Sequence, residues 1–213
     1  MPAREGGAGG QLPAVEGVAA GRSADPSSAR QAIAKLKSDL DRRGISICLS
    51  GVDGCGKSTL AGQLVELLTR SGIAARHLHL YQWYVNLAVT PILLIFNRYL
   101  GRKVLVLDRS IYDNIATLFL QDVPALLKHS LLKTILSVYP EFDYRICPIA
   151  PFDETLRRRP DTEMRRFRGL ATAYEEICAV AGHARLPSDP TLFEEVLAYI
   201  ARGANGPHGK PLA

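Results

Sequence analysis

The chain has 213 residues, 47% of them hydrophobic, enough material for one well-filled core. Its net charge of +5 suits an anionic ligand, but no interleaving of basic and aromatic residues supports nucleic-acid binding. The most apolar run, Leu87–Phe96, is about half the length that spans a bilayer and is interrupted by Pro91, so no membrane association is expected.

Residues 1–30 are rich in Gly, Ala, Pro and Ser and contain no aromatic side chain. Such a segment buries too little apolar area to offset its ordering entropy, and it reads as a disordered tail. It lacks the continuous apolar stretch of a secretory signal, and Glu5, Glu16 and Asp25 argue against a mitochondrial transit peptide. Arg4, Arg22 and Arg30 balance those three acids, so the positive charge belongs to the rest of the chain. Residues 31–203 are expected to form one domain, followed by a flexible C-terminal tail at 204–213. The cysteines at 48, 55, 147 and 178 show no metal-type CxxC pairing, and their usage fits a reducing cytoplasm.

Apolar residues at 33, 36 and 40 predict a short amphipathic helix over 31–43. A strand over 45–50 follows, then GVDGCGKST from Gly51 to Thr59, then a helix over 57–70 closed by Gly72. The spacing G-x-x-x-x-G-K-S is that of a phosphate-binding (Walker A) loop. Glycines at 51, 54 and 56 permit positive φ, so successive amides can converge on an anion, and the helix adds the positive end of its dipole. Lys57 reaches the β- and γ-phosphates in such a loop, and Ser58 offers its hydroxyl to magnesium. Gly51, Asp53, Gly54, Cys55, Gly56, Lys57, Ser58 and Thr59 are therefore the expected binding residues for ATP with Mg2+. The bland alternative is a glycine-rich turn beside a surface lysine.

A second strand is expected over 74–80, with His77 and His79 on one face. The histidines show no ligand-like spacing and read as ordinary core or surface positions. Leu87–Phe96 is expected to be a buried helix roofing an acceptor pocket. Trp83, Tyr84, Asn86 and Arg98 could line that pocket, or the aromatics could belong to the core. The continuous apolar run over 103–108 reads as a strand buried on both faces and ending in Asp108-Arg109. Asp108 is suited to hold the magnesium hydration shell or to accept a proton, and Arg109 to grip an acceptor phosphate bidentately. A structural ion pair at the strand end is the alternative. Helices over 111–120 and 123–137, a strand over 144–149, a helix over about 162–181, a short strand near 184–187 and a helix over 190–202 complete the pattern. Alternating strands and helices imply a parallel sheet with helices on both sides, and ligands in such folds sit at the strands' carboxyl ends.

Between the last long strand and its following helix lies LRRRPDTEMRRFR, with arginines at 157, 158, 159, 165, 166 and 168. A charge run is usually a solvated face, but here it follows a phosphate-loop fold's strand, where a mobile arginine can stabilise a transferring phosphoryl group. Arg157 or Arg158 is the expected catalytic arginine, alongside Lys57, Asp108 and Arg109, while Arg165, Arg166 and Arg168 read as surface.

Together GVDGCGKST, VLVLDRSIYDN and LRRRPDTE with Tyr174 and Glu175 resemble the thymidylate kinase family over roughly residues 45–202. The resemblance implies a three-layer α/β/α P-loop kinase fold with about five parallel strands. It also implies magnesium- and ATP-dependent phosphorylation of a nucleoside monophosphate. Asp53 would then contact the acceptor sugar hydroxyl or magnesium, and Arg109 the acceptor phosphate. The family's Glu-Pro-Gly-Gly segment after the second strand is replaced here by HLHLYQWYVNLAVTP, so thymine recognition does not carry over. The Asp-Arg-Ser triplet also resembles the deoxyribonucleoside kinases, but these use an acidic base after the second strand, and no carboxylate lies between Ala74 and Arg102. A kinase for a nucleoside or other small hydroxyl acceptor, and a nucleotide-binding regulatory protein with little turnover, remain alternatives. Small-molecule nucleotides are the expected partners, a homodimer is compatible with them, and the expected location is cytoplasmic.

Overall fold

Side-chain alternation along two central strands decides how this chain layers. A computed structural model describes residues 26–80, 82–121 and 124–203. Strands β1 (Ile45–Leu49), β2 (Ala75–Leu78), β3 (Val104–Asp108), β4 (Tyr144–Ile149) and β5 (Ala184–Pro187) form one parallel sheet in the order β2-β3-β1-β4-β5. Ile45, Ile47, Leu49, Val104 and Val106 point to one face, where they meet helices α1 (Pro26–Leu40), α2 (Lys57–Arg70) and α8 (Leu192–Arg202). Cys48, Leu105, Leu107 and Cys147 point to the other, against α4 (Ile111–Phe119), α5 (Ala125–Val138) and α7 (Met164–Ala181). Both faces of β1 and β3 are buried, as their largely apolar composition requires. The expected three-layer α/β/α architecture with five parallel strands is what forms.

Helix α1 begins at Pro26, inside the span read as tail. Its Ala32 and Leu36 are buried on the α8 face of the core, and this burial, not composition, draws the helix's start forward. The expectations for residues 1–25 and 204–213 fall outside the described residues.

The segment expected as a buried helix differs in a more instructive way. Between β2 and β3 the chain runs through a π-helical turn (Val85–Val89), helix α3 (Thr90–Phe96) and a second π-helical turn (Asn97–Gly101). Only one stripe is buried: Asn86, Thr90, Leu94 and Asn97. Leu87, Ile92, Ile95, Phe96, Tyr99 and Leu100 remain exposed. Polar hydrogen bonding seats this helix. The Asn97 amide donates to the carbonyls of Ile45 (3.2 Å) and Lys103 (2.9 Å), and the Asn86 amide donates to that of Leu80 (3.2 Å). The approach at Asn97 is so close that a Cβ on Gly44 would lie 2.0 Å from the Asn97 carbonyl oxygen. Among the described residues no helix is long and apolar enough to cross a membrane.

Helix α4 starts on a reciprocal cap. The Ser110 hydroxyl accepts from the Tyr112 amide at 3.2 Å, and the Asp113 carboxylate accepts from the Ser110 amide at 2.9 Å. This cap fixes the chain immediately after Asp108 and Arg109, at the carboxyl edge of the sheet.

Candidate active site

The loop between β1 and α2 has the backbone its glycines imply. Gly51, Gly54 and Gly56 take φ values of 147°, 87° and 91°. A side chain at Gly51 would put its Cβ 3.0 Å from both Cys55 Sγ and the Pro148 carbonyl oxygen, so the loop can pass this point only without one. Helix α2 begins at Lys57 with no side-chain cap, leaving its first-turn amides available to an anion. Lys57 is only 5% exposed. Its ammonium donates to the carbonyls of Gly51 (2.6 Å) and Val52 (2.9 Å) and lies 4.0 Å from Asp53. Burial alone disfavours that charge, but Cys55, Asp113 and Asp53 outweigh it, and Lys57 titrates above the ordinary lysine range.

The remaining loop residues divide by direction. Asp53 is half exposed and accepts from Arg109 Nη2 at 2.6 Å. Thr59 is exposed on the first turn of α2. Cys55, expected to bind the nucleotide, sends its side chain into the core instead. Its amide donates to the Val52 carbonyl at 3.3 Å, and its carbonyl accepts from Ser188 Oγ at 2.7 Å. Burial pushes the Cys55 thiol up to about 11. Its side chain shapes the loop from the core side.

Asp108 ends β3 fully buried. Register places it beside Leu49, the last residue of β1, so the phosphate loop and the Asp-Arg pair leave the sheet side by side. Its Oδ2 accepts from the Ser58 hydroxyl and from His79 Nδ1 at 3.1 Å, with His77 Nε2 at 3.7 Å. Its Oδ1 has no hydrogen-bond partner among the described residues. Ser58 and a buried carboxylate oxygen without a donor are the groups a hard divalent cation takes, so the expected magnesium pair fits. Arg109 adopts φ 103°, a conformation that L side chains avoid and that clusters at functional sites. It turns the guanidinium toward Asp53 and into a cavity of about 680 Å³ that Trp83, Leu87, Asp113 and Asn114 also line. Asp113 is locked: Tyr174 donates its phenol to Oδ1 at 2.7 Å, and burial pushes the carboxyl up. That bond pins α7 to α4 beneath the cavity.

The arginine run resolves residue by residue. It spans helix α6 (Phe152–Arg158), a turn and the start of α7. Arg158 lies over the phosphate loop, with Nη1 donating to the Gly54 carbonyl (3.0 Å) and Ser188 Oγ (3.2 Å), and Nη2 bonding Glu154. Arg157 is 77% exposed and only approaches Glu154, at 3.8 Å. It does not join the site. Arg159 and Arg166 line a second cavity of about 200 Å³ beside Asp53. They were not expected there, because a charge run does not reveal which way each side chain turns.

Of the acceptor-pocket expectations, Trp83 faces the large cavity, Tyr84 is exposed and bonds Gln82, and Asn86 is a buried structural amide. Arg98 sits at the opposite end of the sheet, 3.2 Å from Asp143, whose other oxygen accepts from the Ser46 amide at 2.8 Å. The reading of the histidines is also corrected. His77 and His79 meet Asp108, with ligand-type atoms all within 4.8 Å of one another. Their spacing of two was visible in the sequence, but β2 ends between them at Leu78 and the third member comes from the neighbouring strand, which spacing within one segment does not reveal.

A glycine-rich, lysine-bearing loop on the central strand of this parallel sheet, covered by an arginine-bearing helical hairpin, defines the P-loop kinase fold. The thymidylate kinase from Candida albicans shares it, with a TM-score of 0.53 and 16% identity over 78% of this chain and 94% of that one. Weaker structural matches are the deoxyadenosine kinase from M. mycoides (TM-score 0.46, 14% identity, 74% of this chain and 97% of that one) and the thymidylate kinase from Ehrlichia chaffeensis (0.43, 16%, 68% and 86%). No protein-family model matches the chain, and no curated protein matches it in sequence.

Proposed function

We propose that this protein is a kinase that transfers the γ-phosphoryl group of ATP to a nucleoside monophosphate, in the manner of a thymidylate kinase (dTMP and ATP giving dTDP and ADP, or a related nucleotide pair). The observation that carries the reading is the junction of two anion-binding features at one sheet edge. The Lys57 loop can hold the donor's phosphates, and Arg109, tied to Asp53 at 2.6 Å, faces a cavity large enough for an acceptor. Little covalent work falls to a protein in phosphoryl transfer, so placing donor and acceptor in line and neutralising charge dominate. Lys57 shifts from the loop carbonyls to the donor phosphates, Arg109 orients the acceptor phosphate, and Arg158 closes over the transferring group. A magnesium ion held by Ser58 and Asp108 would add neutralisation of the donor's phosphate charge. An acceptor phosphate oxygen is already anionic and needs no strong base.

A hydroxyl acceptor is favoured by one specific observation: the imidazoles of His77 and His79 at Asp108 offer a base that a phosphate acceptor does not require. A panel of nucleoside monophosphates, nucleosides and small alcohols in a coupled ADP-release assay separates the two readings. Lys57→Ala serves as the blank, with turnover expected to fall by about 10³ or more while circular dichroism stays native. Near-normal turnover in that variant, or no ADP release with any acceptor, would overturn the proposal.

A further inference from the structure

We infer that His77, His79 and Asp108 form a binding site for a borderline divalent transition ion of the zinc class, distinct in chemistry from an oxygen-ligated magnesium site. His77 in β2 and His79, one residue beyond the strand's end, lie two residues apart, and the strand's parallel pairing with β3 brings them to Asp108, the last residue of the neighbouring strand. His77 Nε2 and His79 Nδ1 lie 3.7 and 3.1 Å from the same carboxylate oxygen. Zinc–ligand bonds of about 2.0–2.1 Å in tetrahedral array hold their donor atoms about 3.3 Å apart, so these two distances bracket what an ion would impose. Closing the triangle needs side-chain shifts, not movement of the sheet.

Unsatisfied polar atoms point the same way. His77 Nε2 is buried without a hydrogen-bond partner among the described residues, and so is Asp108 Oδ1 on a fully buried side chain. Burying a donor or acceptor without a partner is destabilising, and a cation between these two atoms removes that penalty. The Ser58 hydroxyl, hydrogen-bonded to the carboxylate, supplies the outer contact that orients a metal-ligating group. About a third of each imidazole remains exposed, which leaves a fourth position open to water or an incoming oxygen. Two imidazole nitrogens and one carboxylate select zinc, cobalt, manganese or iron over magnesium, which prefers oxygen throughout.

The inference stands whether or not the chain transfers phosphoryl groups, so its test is binding, not turnover. Tag-free, chelator-stripped full-length protein is titrated with Co2+ while its visible absorption is followed, and Zn2+ is titrated by calorimetry. One equivalent should bind, excess Mg2+ should not displace it, and the His77→Ala/His79→Ala pair should weaken binding by at least 100-fold. His79→Gln, a change at the more exposed position, guards against misfolding of the double variant and should lose at least tenfold with an unaltered thermal melt. Lys57→Ala, which removes no ligand of this cluster, should keep wild-type metal affinity, whereas a loss there equal to that of the histidine variants would count against the assignment. Absence of a Co2+ spectrum in the wild type, displacement by Mg2+, or equal affinity in wild type and both histidine variants would refute the assignment.

Discussion

Arg109 carries a side chain where the backbone would accept glycine more readily, and this sets up a differential test. At φ 103° any residue with a Cβ is strained by about 1–2 kcal/mol, and only glycine escapes. Replacing Arg109 with alanine or with glycine removes the same 2.6 Å contact to Asp53, so that loss cancels when the two variants are compared. Glycine's freer unfolded chain costs it about 0.4–1 kcal/mol. Arg109→Gly should therefore be more stable than Arg109→Ala by about 1 kcal/mol, the reverse of the ordinary order, or about 2–4 °C in Tm for a protein of this size. Urea and thermal melts by circular dichroism measure the difference. Both variants should lose about 10²–10³ in kcat/KM for phosphorylated acceptors, as expected when a bidentate charged contact disappears. If alanine proves as stable as glycine, the strain argument is wrong. If phosphorylated and unphosphorylated acceptors suffer alike, the phosphate-gripping role is wrong.

Arg158→Ala, which removes the bonds to the Gly54 carbonyl and Ser188, should reduce kcat/KM for ATP by about 10². Arg157→Ala, whose side chain meets only Glu154 at 3.8 Å, should stay within about threefold; steady-state kinetics with equal losses would contradict the assignment. His183 is buried against Tyr112 with Arg145 nearby, and burial first, then that positive charge, lowers its pKa to about 3. The folded state thus resists protonation that the unfolded chain accepts below about pH 6.5, so this group's contribution is intact above that pH and is lost as pH falls toward 3. Between pH 7 and 4.5 the loss is about 2–3 kcal/mol. His183→Gln should flatten the dependence of urea-melt stability on pH by that amount; identical slopes would count against it.

Much of the architecture was legible because two kinds of signal agree with each other. The largely apolar runs at 45–49 and 104–108 are strands covered on both sides, and the glycines of Gly-x-x-x-x-Gly-Lys-Ser take the positive φ values that its spacing implies. The helix after β2 was misread because its hydrophobicity suggested burial, whereas Asn86 and Asn97 supply its anchorage and the apolar side chains face outward. That the Cys55 side chain enters the core was not legible, because a loop motif specifies backbone and leaves the direction of a variable side chain open. The meeting of the histidine pair with Asp108, and the cavity that the exposed Arg159 and Arg166 share, were not legible for a related reason. Their partners come from other strands or across a turn, and no pattern within one segment encodes strand order.

That strand order also governs how the molecule is made. β1 emerges first among the strands yet occupies the centre, flanked by segments that begin at Val104 and Tyr144. A nascent chain therefore carries the glycine-rich turn after β1 with both neighbouring rails missing until about half of its length is made, and with one still missing until β4 follows. The final brace on that turn, from Ser188 to the Cys55 carbonyl, arrives later still. Truncations before β4 should yield a polypeptide that aggregates through β1's bare edge, and truncations between β4 and β5 one that aggregates through β4's.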